Sequence, residues 1–197
     1  LLAQCFAESG TSVVYSQFGF AVFAIATAAA GAQALCVPAL PRHHGQAPLG
    51  HDLEAMAAAV RADTRLVYLA NPNNPTGTWF GAEALTAFLA QVPATVLVVV
   101  DEAYGEYLDA PGSASATGLL SRHANLVVTR TFSKAYALAG LRVGYALSAP
   151  GVAAVLERLR ESFNVNGPAL AAAEAALGDE AHMRHGCAET ARERAWL

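Results

Sequence analysis

Two hydrophobic periods alternate along this chain. Short runs of apolar and β-branched residues are separated by longer segments in which apolar residues return every three or four positions. The short runs predict strands over 12–15, 34–37, 65–70, 95–100, 125–130 and 142–147. The longer segments predict helices over 20–30, 52–61, 82–91, 151–163, 168–177 and 180–196. Gly31 is placed to close the first of these helices, and Asp52 to cap the start of the second. On the 151–163 segment Val152, Val155, Leu156 and Leu159 share one side. The 95–100 run is unbroken by charge and rich in Val, the mark of a strand buried on both faces. Strands alternating with helices predict an α/β domain with a mostly parallel sheet flanked by helices and joined by right-handed crossovers. The Gly-, Ser- and Pro-rich stretch 109–118 is predicted to be a solvent-exposed connection.

Composition narrows the classes of function. The 197 residues are 54% apolar, enough for a sizeable core, and the net charge is −4. No basic run is present, which argues against nucleic acid as a partner. The uncharged stretch 9–41 is rich in Ala and interrupted by Gly19, Gln33 and Pro38. It reads as strand, helix and strand rather than as a membrane span, which wants roughly 20 strongly apolar residues in a row. Cys5, Cys36 and Cys187 have no metal or redox spacing, and their odd number suits a reducing, cytoplasmic compartment. The His pairs 43/44 and 182/185 lack acidic or Cys companions, so no metal is expected. No Met opens the chain, and both ends read as helix interiors. The expected assignment is therefore a piece of a longer protein.

Candidate chemistry gathers at strand ends. Asn74 follows the 65–70 strand, Asp101 ends the 95–100 strand, and Lys134 follows the 125–130 strand. Ligands of open α/β sheets bind beyond the carboxyl ends of strands, so three functional groups are expected on one edge. Lys134 is an amine able to form a Schiff base. Asp101 is an anion at the rim of a buried sheet, costly there unless a cation or donors satisfy it. It can equally be a salt-bridged strand-end acid or the partner of a pyridinium N–H. Tyr104, three residues on, returns to the same side through a helical or turn conformation; taken alone it reads as a surface or half-buried core tyrosine, and beside Asp101 it offers a hydroxyl. Asn74 stands between Pro72 and Pro75 in a stiff loop closed by Gly77. Thr131 and Ser133 offer hydroxyls, and Arg142 a fork of donors suited to phosphate. Phe20 opens the first apolar helix, placed either for the core or to stack on a flat ring. Glu102 adjoins Asp101, but adjacency in sequence does not make a catalytic pair.

The motifs Asn-Pro-Asn-Asn-Pro-Thr-Gly-Thr (71–78), Val-Asp-Glu-Ala-Tyr-Gly-Glu-Tyr (100–107) and Arg-Thr-Phe-Ser-Lys-Ala-Tyr-Ala-Leu-Ala-Gly-Leu-Arg-Val-Gly-Tyr (130–145) resemble those of the fold-type-I pyridoxal phosphate aminotransferases. Within that group the resemblance is to the histidinol-phosphate aminotransferase family, and it runs through residues 1–197. It implies a pyridoxal 5'-phosphate cofactor bound at Lys134, with Asp101 on the pyridine nitrogen and Asn74 and Tyr104 on the ring hydroxyl. Thr131, Ser133 and Arg142 would hold the phosphate, and Phe20 would stack on the ring. The implied catalytic set is Lys134, Asp101 and Tyr104.

The implied reaction is transfer of an amino group between L-histidinol phosphate and 2-oxoglutarate in histidine biosynthesis. The small-molecule amino donor and 2-oxo acid are the partners, and the full-length enzyme is expected to be a cytoplasmic homodimer. Alternatives that share the Lys, Asp and Asn set are an aromatic aminotransferase and a threonine-phosphate decarboxylase. A non-catalytic cofactor-binding sensor domain and an inactive fragment are others. Family members carry a Gly-Ser-x-Glu-like turn before the first helix, an N-terminal arm, and a C-terminal small domain with an Arg for the substrate carboxylate. None of these is in 1–197, so the expected domain is the large one, truncated at both ends.

Overall fold

A computed structural model describes residues 1–197. Six strands form one sheet: β1 (Ser12–Ser16), β2 (Gln33–Val37), β3 (Thr64–Ala70), β4 (Leu97–Asp101), β5 (Leu126–Thr131) and β6 (Gly144–Ser148). Their spatial order is β2-β1-β3-β4-β5-β6. The first five are parallel and β6 runs antiparallel to β5, so the expected mostly parallel α/β sheet is found.

Period-two alternation divides the core between the two faces. Val14, Val67, Leu69, Val98, Val100 and Val128 pack with Met56 of α3 (Leu53–Ala58) and with Leu85, Phe88 and Leu89 of α4 (Ala82–Gln91). On the opposite face Val13, Tyr15, Leu66, Tyr68, Val99 and Val127 pack with Ala3 of α1 (Leu2–Phe6) and Phe23 of α2 (Ala21–Ala29). Each large aliphatic side chain fully withdrawn from water here contributes about 1.5–3 kcal/mol before entropy is counted. The Phe23 ring stacks on Tyr68 at 4.7 Å, anchoring α2 beside the sheet.

Local signals act as read. Asp52 accepts a hydrogen bond from Ala55 N–H and starts α3. Gly31 follows α2 at φ +72, the left-handed conformation that favours glycine. No helix is long and apolar enough to cross a membrane.

Several predicted bounds shift: the 52–61 helix stops at Ala58, the 95–100 strand starts at Leu97, and three further segments differ for reasons visible in the structure. The last strand starts at Gly144 rather than 142, because Arg142 is left-handed at φ 55. Glycine is needed at 144: a Cβ there would lie 2.7 Å from the Arg130 carbonyl oxygen of β5. The helix predicted to reach 163 is α5 (Pro150–Leu159), which ends at Leu159. Arg160 is extended and Phe163 is 96% exposed, so no burial rewards a further turn. Finally, the 109–118 stretch is partly buried. Ala116 is inside, and a 3₁₀ turn (Ala116–Leu119) follows Ser115.

Two helices complete the chain. In α6 (Gly167–Gly178), Ala169 and Ala173 pack on Phe132 and Val143. In α7 (Glu180–Trp196) no residue is buried.

Candidate active site

The carboxyl ends of β3, β4 and β5 lie side by side, because Ala70 pairs with Asp101 and Asp101 with Thr129. That register sets the site. Phe20, Asn74, Asp101, Tyr104 and Lys134 line one cavity at this edge, closed by Ala70 and Pro72. The lysine and the aspartate therefore share a single space. Pro72, Asn74 and Tyr104 also line an adjoining cavity of about 740 Å³, which α7 borders through Thr190 and Arg194.

Asp101 Oδ1 accepts from Ala103 N–H at 3.2 Å and from the Thr129 hydroxyl at 3.1 Å. No Lys, Arg or His pairs with it. Burial pushes its pKa above the ordinary carboxylate value, the two hydrogen bonds pull the other way, and the adjacent Glu102 charge adds to the rise. Lys134 follows β5 and forms no ion pair. Its Nζ sits 5.3 Å from the centroid of the Tyr104 ring, within cation–π range. The site thus holds an amine without an anion and a carboxylate without a cation.

The Asn-Pro loop explains why Asn74 is free. Asn71 is buried and spent on Phe80: its Nδ2 donates to the Phe80 carbonyl and its Oδ1 accepts from Phe80 N–H, both at 3.0 Å. Asn73 is buried too, donating to the Phe18 carbonyl at 2.9 Å and to Thr76 Oγ1 at 2.7 Å. The first contact ties the loop to the turn that carries Phe20. Asn74 is left facing the cavity, its Nδ2 3.4 Å from the Tyr104 hydroxyl. Phe20 caps the start of α2, edge-on to Phe23 at 5.9 Å, and 37% exposed on the cavity wall. It is not a core aromatic.

Thr131 ends β5, Ser133 and Arg142 lie on the connection after it, and none of the three lines this cavity. Thr131 Oγ1 accepts from Ser133 N–H at 3.0 Å, and the exposed Arg142 guanidinium donates to the Ala139 carbonyl at 2.6 Å. Asn71, Asn73 and Thr129 were not singled out from the sequence. Nothing in residue order marks Thr129, whose partnership with Asp101 depends on the β4–β5 register; for Asn71 and Asn73 the signal was two amides beside the end of a buried strand, where buried polar groups find partners.

The profile of the family described as Aminotransferase class I and II matches residues 1–196. Histidinol-phosphate aminotransferase 2 of Pseudomonas aeruginosa is 56% identical over 183 residues, 93% of this chain and 48% of that protein. Histidinol-phosphate aminotransferase 1 of Cupriavidus pinatubonensis is 53% identical over 93% of this chain and 47% of its own length. The chain spans about half the length of the curated relatives it matches. Among solved structures, histidinol-phosphate aminotransferase from Sinorhizobium meliloti, in complex with pyridoxal-5'-phosphate, superposes with a TM-score of 0.89 at 37% identity. That match covers 98% of this chain and 51% of the other. With residues 1–196 matched by the family profile and its sheet edge built as described, the chain belongs to the class I and II aminotransferases.

Proposed function

We propose that residues 1–197 form the cofactor-binding large domain of a pyridoxal phosphate-dependent aminotransferase that acts on L-histidinol phosphate, with 2-oxoglutarate as amino acceptor, in a cytoplasmic homodimer. One observation carries the reading: an amine without an anion and a carboxylate without a cation line the same cavity. The names of the relatives more than half identical to it support the choice of amino donor.

The donor set fits the cofactor by its chemistry. Asp101 supplies the anion for a protonated ring nitrogen, and Lys134 the amine for an aldehyde. Asn74 and Tyr104 supply donors for the ring hydroxyl, and Phe20 an aromatic wall. The phosphate falls to Thr131 at the end of β5 and to Ser133 and Arg142 on the connection after it. When bound, the cofactor supplies an electron sink that acidifies the α-hydrogen of an attached amine. Lys134 is the base that takes that proton, from a position beside the Tyr104 ring. Asp101 keeps the ring nitrogen protonated, and Thr129 and the Ala103 amide hold its carboxylate in place. The cavity of about 740 Å³ beside Asn74 and Tyr104 is the space for the amino donor.

The test uses the full-length protein loaded with pyridoxal phosphate. Borohydride reduction followed by peptide mapping is expected to mark Lys134, and a mark on any other lysine would refute the assignment. A screen of histidinol phosphate against phenylalanine, tyrosine and threonine phosphate is expected to favour the first.

A further inference from the structure

On the far side of the same sheet edge lies a second charged cluster that the proposed chemistry does not use. Glu102 follows Asp101 and faces the other way, as alternation requires. It is 3% exposed. One of its oxygens accepts from Ala116 N–H at 2.6 Å, and the other from the Ser115 hydroxyl at 2.8 Å. Arg130 reaches that second oxygen with Nε at 3.0 Å and Nη2 at 2.6 Å. The same guanidinium donates to Ser115 Oγ at 3.0 Å and, through Nη1, to Glu106 at 3.3 Å. Burial works against the Arg130 charge, but Glu102 and Glu106 outweigh it and hold its pKa above the ordinary value. None of these residues lines the Lys134 cavity.

Three elements meet on one guanidinium. Arg130 lies on β5, four residues before Lys134. Glu102 adjoins Asp101 at the end of β4. Glu106 is in the 3₁₀ turn (Gly105–Tyr107) that follows Tyr104. Gly105 lets this turn pass close: a Cβ there would stand 3.3 Å from Glu102 Cβ and 3.6 Å from Arg130 Nη2.

We propose that Arg130 is a positioning residue: by clamping Glu102 and Glu106 it fixes the spacing between Lys134 on one side and Asp101 and Tyr104 on the other. The inference rests on the functional reading above, and it makes the cluster part of the catalytic geometry rather than of stability alone. Misplacement of reacting groups by about 1 Å costs on the order of a hundredfold in rate, so a clamp of this kind has a measurable effect.

The test is made on the full-length protein with pyridoxal phosphate bound. Arg130→Gln alone strands two buried acids and is expected to fold poorly. The deciding variant is therefore Glu102→Gln combined with Arg130→Gln, which removes the charges of the more buried pair, keeps hydrogen-bonding groups and leaves only Glu106 without its cation, with Arg130→Lys beside it. Both are expected to retain the cofactor on Lys134. The pH midpoint of the bound cofactor's absorbance is expected to move by about half a pH unit, and kcat to fall by roughly tenfold or more with KM little changed. Lysine is expected to restore thermal stability but not the midpoint, because one ammonium cannot fork to both acids. A midpoint and kcat equal to those of the unsubstituted protein, in whichever of the two variants folds, would overturn the proposal. Should the unsubstituted protein carry no cofactor on Lys134, the functional reading fails instead. The clamp is then judged by hydrogen exchange of residues 103–106 and 131–135 in the cofactor-free protein: faster exchange in the variants supports it, and unchanged exchange sinks it.

Discussion

Asp101 and Glu102 are neighbours in sequence, both acidic, both at the end of β4, and their surroundings differ in kind. Glu102 is saturated: an arginine fork, a hydroxyl and a backbone amide satisfy both of its oxygens. Asp101 has two weak partners on one oxygen and no cation. The sheet rotates one side chain into a finished polar cluster and the other into an open cavity. Burial, then, does not separate a structural acid from a functional one, since both are largely withdrawn from water. Saturation does. A buried charge whose partners are all supplied by the chain holds the chain together, whereas one left short is a candidate for binding, which is the role proposed for Asp101.

The contrast breaks most directly at Glu102. Glu102→Ala leaves Arg130 with Glu106 as its one carboxylate partner and Ser115 Oγ as its other acceptor, and strips the Ala116 amide of its acceptor. Removing one partner of a buried pair typically costs about 3–5 kcal/mol, and urea unfolding of the cofactor-free protein is expected to register a loss of that order. Asp101→Asn is expected to do the reverse. Transamination by the full-length protein should fall by about 10²–10³-fold, as the anion proposed to face the ring nitrogen is lost. The cofactor-free protein should be no less stable, because a carboxyl whose pKa is raised by burial is a charge the fold would rather not carry. If Asp101→Asn destabilised the protein as much as Glu102→Ala, saturation would not be the property that separates the two acids.

His51 sharpens the comparison with an intermediate case. Its Nε2 lies 3.1 Å from both the N and the O of Ala70, serving backbone that β1 does not reach, while Nδ1 is buried with no partner. Burial lowers its pKa from 6.5 to about 4, and the Ala70 hydrogen bond offsets this only in part. The native state therefore resists protonation. This contribution to stability is complete above the unfolded-state pKa of 6.5 and is lost as pH falls toward 4. Between pH 7 and 4.5 the loss amounts to about 2–3 kcal/mol. Urea unfolding at the two pH values is expected to show a smaller acid loss for His51→Gln than for the unsubstituted protein, by that difference. Equal losses would mean that His51 does not titrate as its burial dictates.

Much of this was legible from residue order alone. The short apolar, β-branched runs located every strand, and the carboxyl-end rule alone brought Asn74, Asp101 and Lys134 to one edge. What stayed hidden depends on side-chain direction. Glu102 and Arg130 are 28 residues apart, and only the β4–β5 register makes them partners. The Gly/Ser/Pro stretch 109–118 looked solvated because its composition is polar, yet Ser115 and the Ala116 amide are turned inward onto Glu102. The end of α5 was missed because the apolar face that predicted it meets little of the sheet: Leu159 is 51% exposed.

Tyr104 tests the open side of the comparison at its weakest link. Its hydroxyl is approached by the Asn74 amide at 3.4 Å, a long contact, while its ring faces Lys134 Nζ at 5.3 Å. Tyr104→Phe deletes the hydroxyl and keeps the ring. If the ring's main task is to sit beside the amine, the borohydride-trapped fraction at Lys134 should be unchanged. The lost hydrogen bond to the cofactor should then cost about 1 kcal/mol, roughly a fivefold fall in kcat/KM. Thermal stability without cofactor should not move, because nothing buried loses its only partner. A fall of a hundredfold or more would instead make the hydroxyl a proton-transfer group and move Tyr104 from the wall of the site into its chemistry.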